Sequence, residues 1–145
     1  MNAMSEDLYH KTIIEWSKRT EHTSPLEKTD CEGISNNPLC GDRVSVELNV
    51  KGEAIQSMAH HVRGCLICKA ASAHLASLAR GLTLDKVKEM RQDLDKALKT
   101  VNGEPADFPE NHRMFYPVQS HKSRHSCILL PYDAVIDALS SECME

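Results

Sequence analysis

Cys40, Asp42, Cys65 and Cys127 stand out for what their types and placement could do together. Cys40 sits in Asn37-Pro38-Leu39-Cys40-Gly41-Asp42, just ahead of a segment with strand patterning. Cys65 follows Gly64, where a returning strand gives way to a helical pattern, and Cys127 precedes the last helical segment. All three thiols thus fall at element ends, where side chains converge on one edge of a sheet. Helix N-termini favour thiolate, the form that ligates metal and attacks sulfur, because their unpaired N–H groups and dipole stabilise negative charge. Gly41 lets the backbone turn so that Cys40 and Asp42 can face one ion. Three thiolates and a carboxylate would close a tetrahedral zinc site or hold a cluster with one labile position. A carboxylate beside thiolates is the more exchangeable ligand, which suits a site that must release its contents.

Each of these residues also has a plainer reading. A lone cysteine is most often a small buried hydrophobe, and that or simple exposure is the expectation for Cys31 and Cys143. Asp42 alone would be an ordinary turn residue. Arg124 and Lys69 are candidates to neutralise the ligands' negative charge, and His125 is a candidate proton acceptor or alternate ligand. His60 and His61 are neighbours on a strand and so point to opposite faces, which prevents a chelating pair. Cys65-Leu66-Ile67-Cys68 supports a rival reading, a thiol–disulfide protein with Cys65 attacking and Cys68 resolving. A domain with a purely structural zinc is a third.

The elements that must position these residues are legible in the patterning. Ser5 to Arg19 reads as a helix with Ser5 as N-cap and Leu8, Ile13 and Trp16 inward. Arg43 to Val50 alternates, with Val44, Val46, Leu48 and Val50 on one face, the period of a half-buried strand. Lys51-Gly52-Glu53 supplies a turn into a second strand, Ala54 to Val62, and a shorter strand around Asp30 to Ser35 completes a small antiparallel sheet. Ile67 to Arg80, rich in Ala and Ser, reads as a helix able to approach the sheet closely, with Gly81 past its end. Thr83 caps the next helix, whose stripe is Leu84, Val87, Leu94 and Leu98. Residues 100–121 carry three prolines and read as a long loop with at most short helical turns. A last helix spans about Ile128 to Ser141, where Pro131 is tolerable only in the first turn.

Of 145 residues, 41% are hydrophobic and 4% aromatic, so Leu, Ile, Val, Ala and Met must fill the core of one expected domain. A net charge of −4 with scattered Lys and Arg gives no footprint for nucleic acid. No stretch approaches the roughly 18–20 apolar residues that span a bilayer. The acidic start lacks an apolar export signal, and Met4 is a candidate native start after an added Met1-Asn2-Ala3. Six cysteines without such a signal point to metal or thiol chemistry in a reducing cytoplasm, and away from a disulfide framework.

The Asn37–Asp42 element, Gly64-Cys65 leading into an Ala/Ser-rich helix, and a third cysteine opening the last helix resemble the NifU-like, IscU-type iron–sulfur scaffold family. The resemblance runs from roughly Glu6 to Leu139. The long interval between Cys65 and Cys127, with Arg124 three residues before Cys127, is closer to the SufU-type branch. The resemblance implies an α+β fold, a three-stranded antiparallel sheet packed against several helices, and a site of Cys40, Asp42, Cys65 and Cys127. It implies that a pyridoxal-phosphate cysteine desulfurase (SufS-like) delivers persulfide sulfur to one of these thiols, Cys40 first and Cys127 second. It further implies a [2Fe–2S] cluster or iron in the IscU-type and a zinc ion in the SufU-type, with downstream iron–sulfur acceptors. Such a chain is a scaffold or sulfurtransferase-like acceptor more than a turnover enzyme. It departs from the family in Ser126 before the third cysteine, where the IscU-type has His, and in Cys68 and Pro131.

Overall fold

The computed structural model describes residues 3–39, 41–100, 103–141 and 143, with side chains from Tyr9 onward. Helix α1 (Ala3–Ser17) leads into strands β1 (Cys31–Asn36), β2 (Arg43–Lys51) and β3 (Ala54–Arg63), then helices α2 (Leu66–Leu78) and α3 (Leu84–Lys99). Three 3-10 segments follow, Pro105–Asp107, Glu110–Ser120 and Lys122–Arg124, before helix α4 (His125–Ser140). The strands form an antiparallel meander in the order β1-β2-β3, the α+β architecture expected.

The alternation in β2 has its physical outcome: Val44, Val46, Leu48 and Val50 are buried under the helices. The register sets Asn36 opposite Arg43 and Arg43 opposite Arg63, so the end of β1, the start of β2 and the end of β3 lie side by side. Ala70, Ala71 and Ala73, all buried, let α2 approach closely. Helix α4 comes nearer still to β1. A Cβ built on Gly33 would collide with the carbonyl oxygen of Ala134 and lie 2.6 Å from the Ala138 nitrogen. Asp137 Oδ2 accepts from the Ile34 N–H at 3.0 Å, which satisfies an edge donor of the sheet. Thr83 caps α3 as expected, its hydroxyl accepting from the Lys86 N–H.

Several expectations need correction. Helix α1 begins at Ala3, so Ser5 lies within it, and the Leu8 side chain lies outside the described residues. The 100–121 stretch is not chiefly loop: Glu110–Ser120 winds as a 3-10 helix and buries His112, Met114, Phe115 and Val118. Helix α4 starts three residues earlier than expected, which puts Cys127 in its first turn and Pro131 well inside it. Proline has no N–H, so within the helix the Cys127 carbonyl loses its partner four residues on. Cys31 and Cys143 are neither lone core cysteines nor exposed ones: they are disulfide-bonded, with Cα atoms 4.7 Å apart.

Candidate metal centre

Three chain segments meet at the sheet end defined by Asn36, Arg43 and Arg63. The turn after β1 is tied by its own backbone: the Gly41 N–H donates to the Asn37 carbonyl, and the Asn37 N–H to the Asp42 carbonyl, each at 2.8 Å. Asn37 Oδ1 accepts from the Leu39 N–H, and its Nδ2 donates to Ser126 Oγ at 2.6 Å, fastening the turn to the start of α4. Gly41 takes φ 75°, a left-handed conformation that L side chains rarely adopt, and it aims Asp42 inward. Asp42 is buried, 5% exposed.

Gly64 is required because the Asp42 carboxyl lies over it. A Cβ there would fall 2.7 Å from Asp42 Cγ and 2.8 Å from Oδ1. Cys65 is then the N-cap of α2, in an extended conformation, with the backbone N–H of Cys68 on the side that favours its thiolate. Cys127, fully buried, reaches in from the first turn of α4 and donates from Sγ to Asp42 Oδ2 at 3.2 Å. Ligand atoms of Asp42, Cys65 and Cys127 all lie within 4.8 Å of one another, the metal-competent group found among the described residues. Cys40 lies outside the described residues, so its expected place in the set has no geometry here.

Two helix N-termini therefore converge on two thiols and a carboxyl. The Cys65 thiol is pulled down to about 6, chiefly by the neighbouring Cys127 thiol and next by the Cys68 N–H, against burial and Asp42. Cys127 is pushed up by the neighbouring Cys65 thiol, by burial and by Asp42. Of the two thiols, Cys65 is therefore the one favoured as thiolate. Arg124 lies beside this group, its guanidinium close to Cys127, Cys65 and Asp42. Arg43 and Arg63 stand directly opposite each other at this end of the sheet. Like charges so placed are unfavourable unless anions are near.

The other singled-out residues lie elsewhere. His125 Nε2 bonds to the Gln119 carbonyl oxygen at 2.8 Å, which orients the ring toward the 3-10 segment. His60 is buried and His61 exposed, on opposite faces as their spacing requires. Cys68 is fully buried beneath Cys65, and no disulfide joins them. Lys69 is exposed on the first turn of α2. Asn37 and Ser126 escaped the sequence reading as site residues, although the Asx pattern of Asn37 two residues before Leu39 is a turn signal. Leu39 and Leu66, which neighbour Cys40 and Cys65 in the chain, are 96% and 44% exposed. At Leu39 opens a groove of about 1250 Å³, lined also by Asn37, Pro38, Arg124, His125 and Ser126.

Known proteins share this arrangement of elements. The family model described as the NifU-like N terminal domain matches residues 8–114. The zinc-dependent sulfurtransferase SufU of Bacillus subtilis is 24% identical over 141 residues, 97% of this chain and 95% of that protein. The iron-sulfur cluster assembly scaffold protein IscU 1 of Archaeoglobus fulgidus is 23% identical over 86 residues, 59% of this chain. That match spans only 56% of the archaeal protein, little more than half its length. The crystal structure of a nitrogen-fixing NifU-like protein (N-terminal) from Brucella abortus superposes with a TM-score of 0.80 at 30% identity, covering 94% of this chain and 95% of its own. The chain belongs to the NifU-like N-terminal domain family.

Proposed function

We propose that this chain serves iron–sulfur cluster assembly in the cytoplasm, as one domain that holds a zinc ion or an iron–sulfur cluster and accepts sulfur from a cysteine desulfurase. The observation that carries the reading is the convergence of Asp42, Cys65 and Cys127 within 4.8 Å at one sheet end. The donors suit the ion: bonds of about 2.0–2.3 Å in a tetrahedron put ligand atoms roughly 3.5–3.8 Å apart, close to what this cluster offers. Cys40, two residues before Asp42, is the fourth ligand in this reading. A bound zinc would keep the thiols deprotonated and lend Lewis acidity, while a cluster would be cargo.

The chain's own residues have distinct tasks. Asp42 is the ligand that keeps hold while a thiol is detached. Cys40 is the sulfur acceptor, with Cys127 second: its thiolate attacks the outer sulfur of the desulfurase persulfide. A Cys40 persulfide forms, and the desulfurase cysteine leaves as thiolate with the electron pair of the broken S–S bond. Arg124 offsets the negative charge of the emptied ligand set, and His125 stands next to it as a proton acceptor. Exposed Leu39 and Leu66 beside the site, with a groove alongside, support a protein partner. In this reading that partner is a SufS-like desulfurase, followed by iron–sulfur acceptor proteins.

The test is to incubate the protein with a cysteine desulfurase and cysteine, then map added sulfur by mass spectrometry. The reading expects faster alanine release and one extra sulfur atom on Cys40, both lost in Cys40→Ser. No stimulation and no sulfur on any cysteine of the chain, with several desulfurases tried, would remove the sulfur-accepting role.

A further inference from the structure

The structure assigns Cys31 and Cys143 as a thiol–disulfide exchange site, separate from the ligand thiols, whose bridge clamps α4 to β1. The bond joins residues 112 apart in the sequence. Cys31 opens β1 opposite Leu48, at the end of the strand away from Asn36 and the metal centre. Cys143 lies just beyond the end of α4. Strand and helix are thus joined along their whole length. The bridge holds the far end, Gly33 meets Ala134 and Ala138, Asp137 takes the Ile34 N–H, and Asn37 bonds Ser126 at the near end. These two elements deliver the Asn37–Asp42 turn and Cys127 to the metal centre.

The two sulfurs are unequal, and that sets the course of exchange. Cys31 is 3% exposed in the core, whereas Cys143 is only partly buried. A small thiolate such as glutathione therefore attacks Cys143, forming a mixed disulfide there. Cys31 leaves as a thiolate and takes up a proton. A second glutathione thiolate then attacks the mixed disulfide, releasing oxidised glutathione and the Cys143 thiolate. Two electrons pass from two glutathiones to the protein disulfide, and oxidised glutathione drives the reverse. A thiolate formed in the apolar surroundings of Cys31 is a poor leaving group, which makes opening slow and reclosure favoured.

The test equilibrates the full chain across ratios of reduced to oxidised glutathione, digests it without reduction and maps the peptides. The Cys31–Cys143 peptide should interconvert with the free thiols through one midpoint, and acid quenching should trap glutathione on Cys143, not Cys31. Bridged protein should melt about 10 °C above the open form. Amide exchange over residues 128–140 should be several-fold slower when the bridge is closed. Cys143→Ser, a change beyond the helix end, should abolish both differences, and Cys31→Ala should accumulate glutathione on Cys143. A bridge absent at every ratio, a first adduct on Cys31, or equal α4 exchange in both forms would each overturn the assignment.

Discussion

Asp42 and Gly64 form one unit: the carboxyl occupies the volume that any side chain at 64 would need. Gly64→Ala should therefore displace Asp42 and speed metal loss to a chelator by about tenfold, with the fold retained; unchanged retention would mean that Asp42 is not held by that contact. Cys65 and Cys127 should also differ in the metal-free protein. Cys65, lowered to about 6 and partly exposed, should be alkylated at neutral pH well before buried Cys127. Pulsed iodoacetamide labelling with peptide mapping reads the order, and labelling of Cys127 first would contradict the charge placement. At this scale the sequence was informative. That Asp42, Cys65 and Cys127 come together follows from element-end positions visible in the sequence. The Asn37–Ser126 bond was not, since two ordinary polar residues 89 positions apart carry no local signal.

Elements were legible wherever a period was strong. The four alternating apolar residues of β2 and the Thr83 cap left little freedom, because a strand slipped by one residue would turn its valines to water. The 3-10 helix Glu110–Ser120 was hidden, because Pro109 and Pro117 read as loop while burial of Met114, Phe115 and Val118 decides the outcome. Pro131 misled likewise: helix α4 tolerates it in the interior because packing on β1 outweighs the missing hydrogen bond. The bridge was missed because a cysteine pairing over 112 residues leaves no spacing signature. Two substitutions test the element account. Gly33→Ala should cost about 3 kcal/mol or more in urea unfolding, since the new methyl meets helix backbone that cannot step aside. Thr83→Ala should cost about 1 kcal/mol through loss of the cap. A Gly33→Ala protein as stable as its parent would refute the close β1–α4 approach.

At the scale of the whole molecule, three buried imidazoles set the response to acid. His60, His74 and His112 are each lowered to about 4, chiefly by burial. His74 packs edge-on to Trp16, His112 and Phe115, and His112 shares a 2.6 Å hydrogen bond with the Tyr132 hydroxyl. The unfolded chain binds protons near pH 6.5 where the folded one does not, so stability rises with pH between about 4 and 6.5. The contribution is complete above the unfolded value and is lost as pH falls through the folded one. Each imidazole accounts for about 3 kcal/mol at the acid limit, so together they rival a typical domain stability. Denaturant midpoints should fall steeply below pH 6.5, and His74→Phe should flatten that fall; a midpoint unchanged from pH 7 to 4.5 would contradict it.

In the proposed function, Asp42, Cys65 and Cys127, with Cys40, hold one metal ion or cluster. The most direct measurement is the metal and acid-labile sulfide content per chain of protein purified without oxygen, for the parent and for Cys40→Ser, Asp42→Ala, Cys65→Ser and Cys127→Ser. About one zinc without sulfide, or iron matched by sulfide, is expected in the parent. Loss is expected in each cysteine variant, and weakened retention in Asp42→Ala. A parent protein that holds no metal after any purification, or cysteine variants that hold as much as the parent, would contradict it.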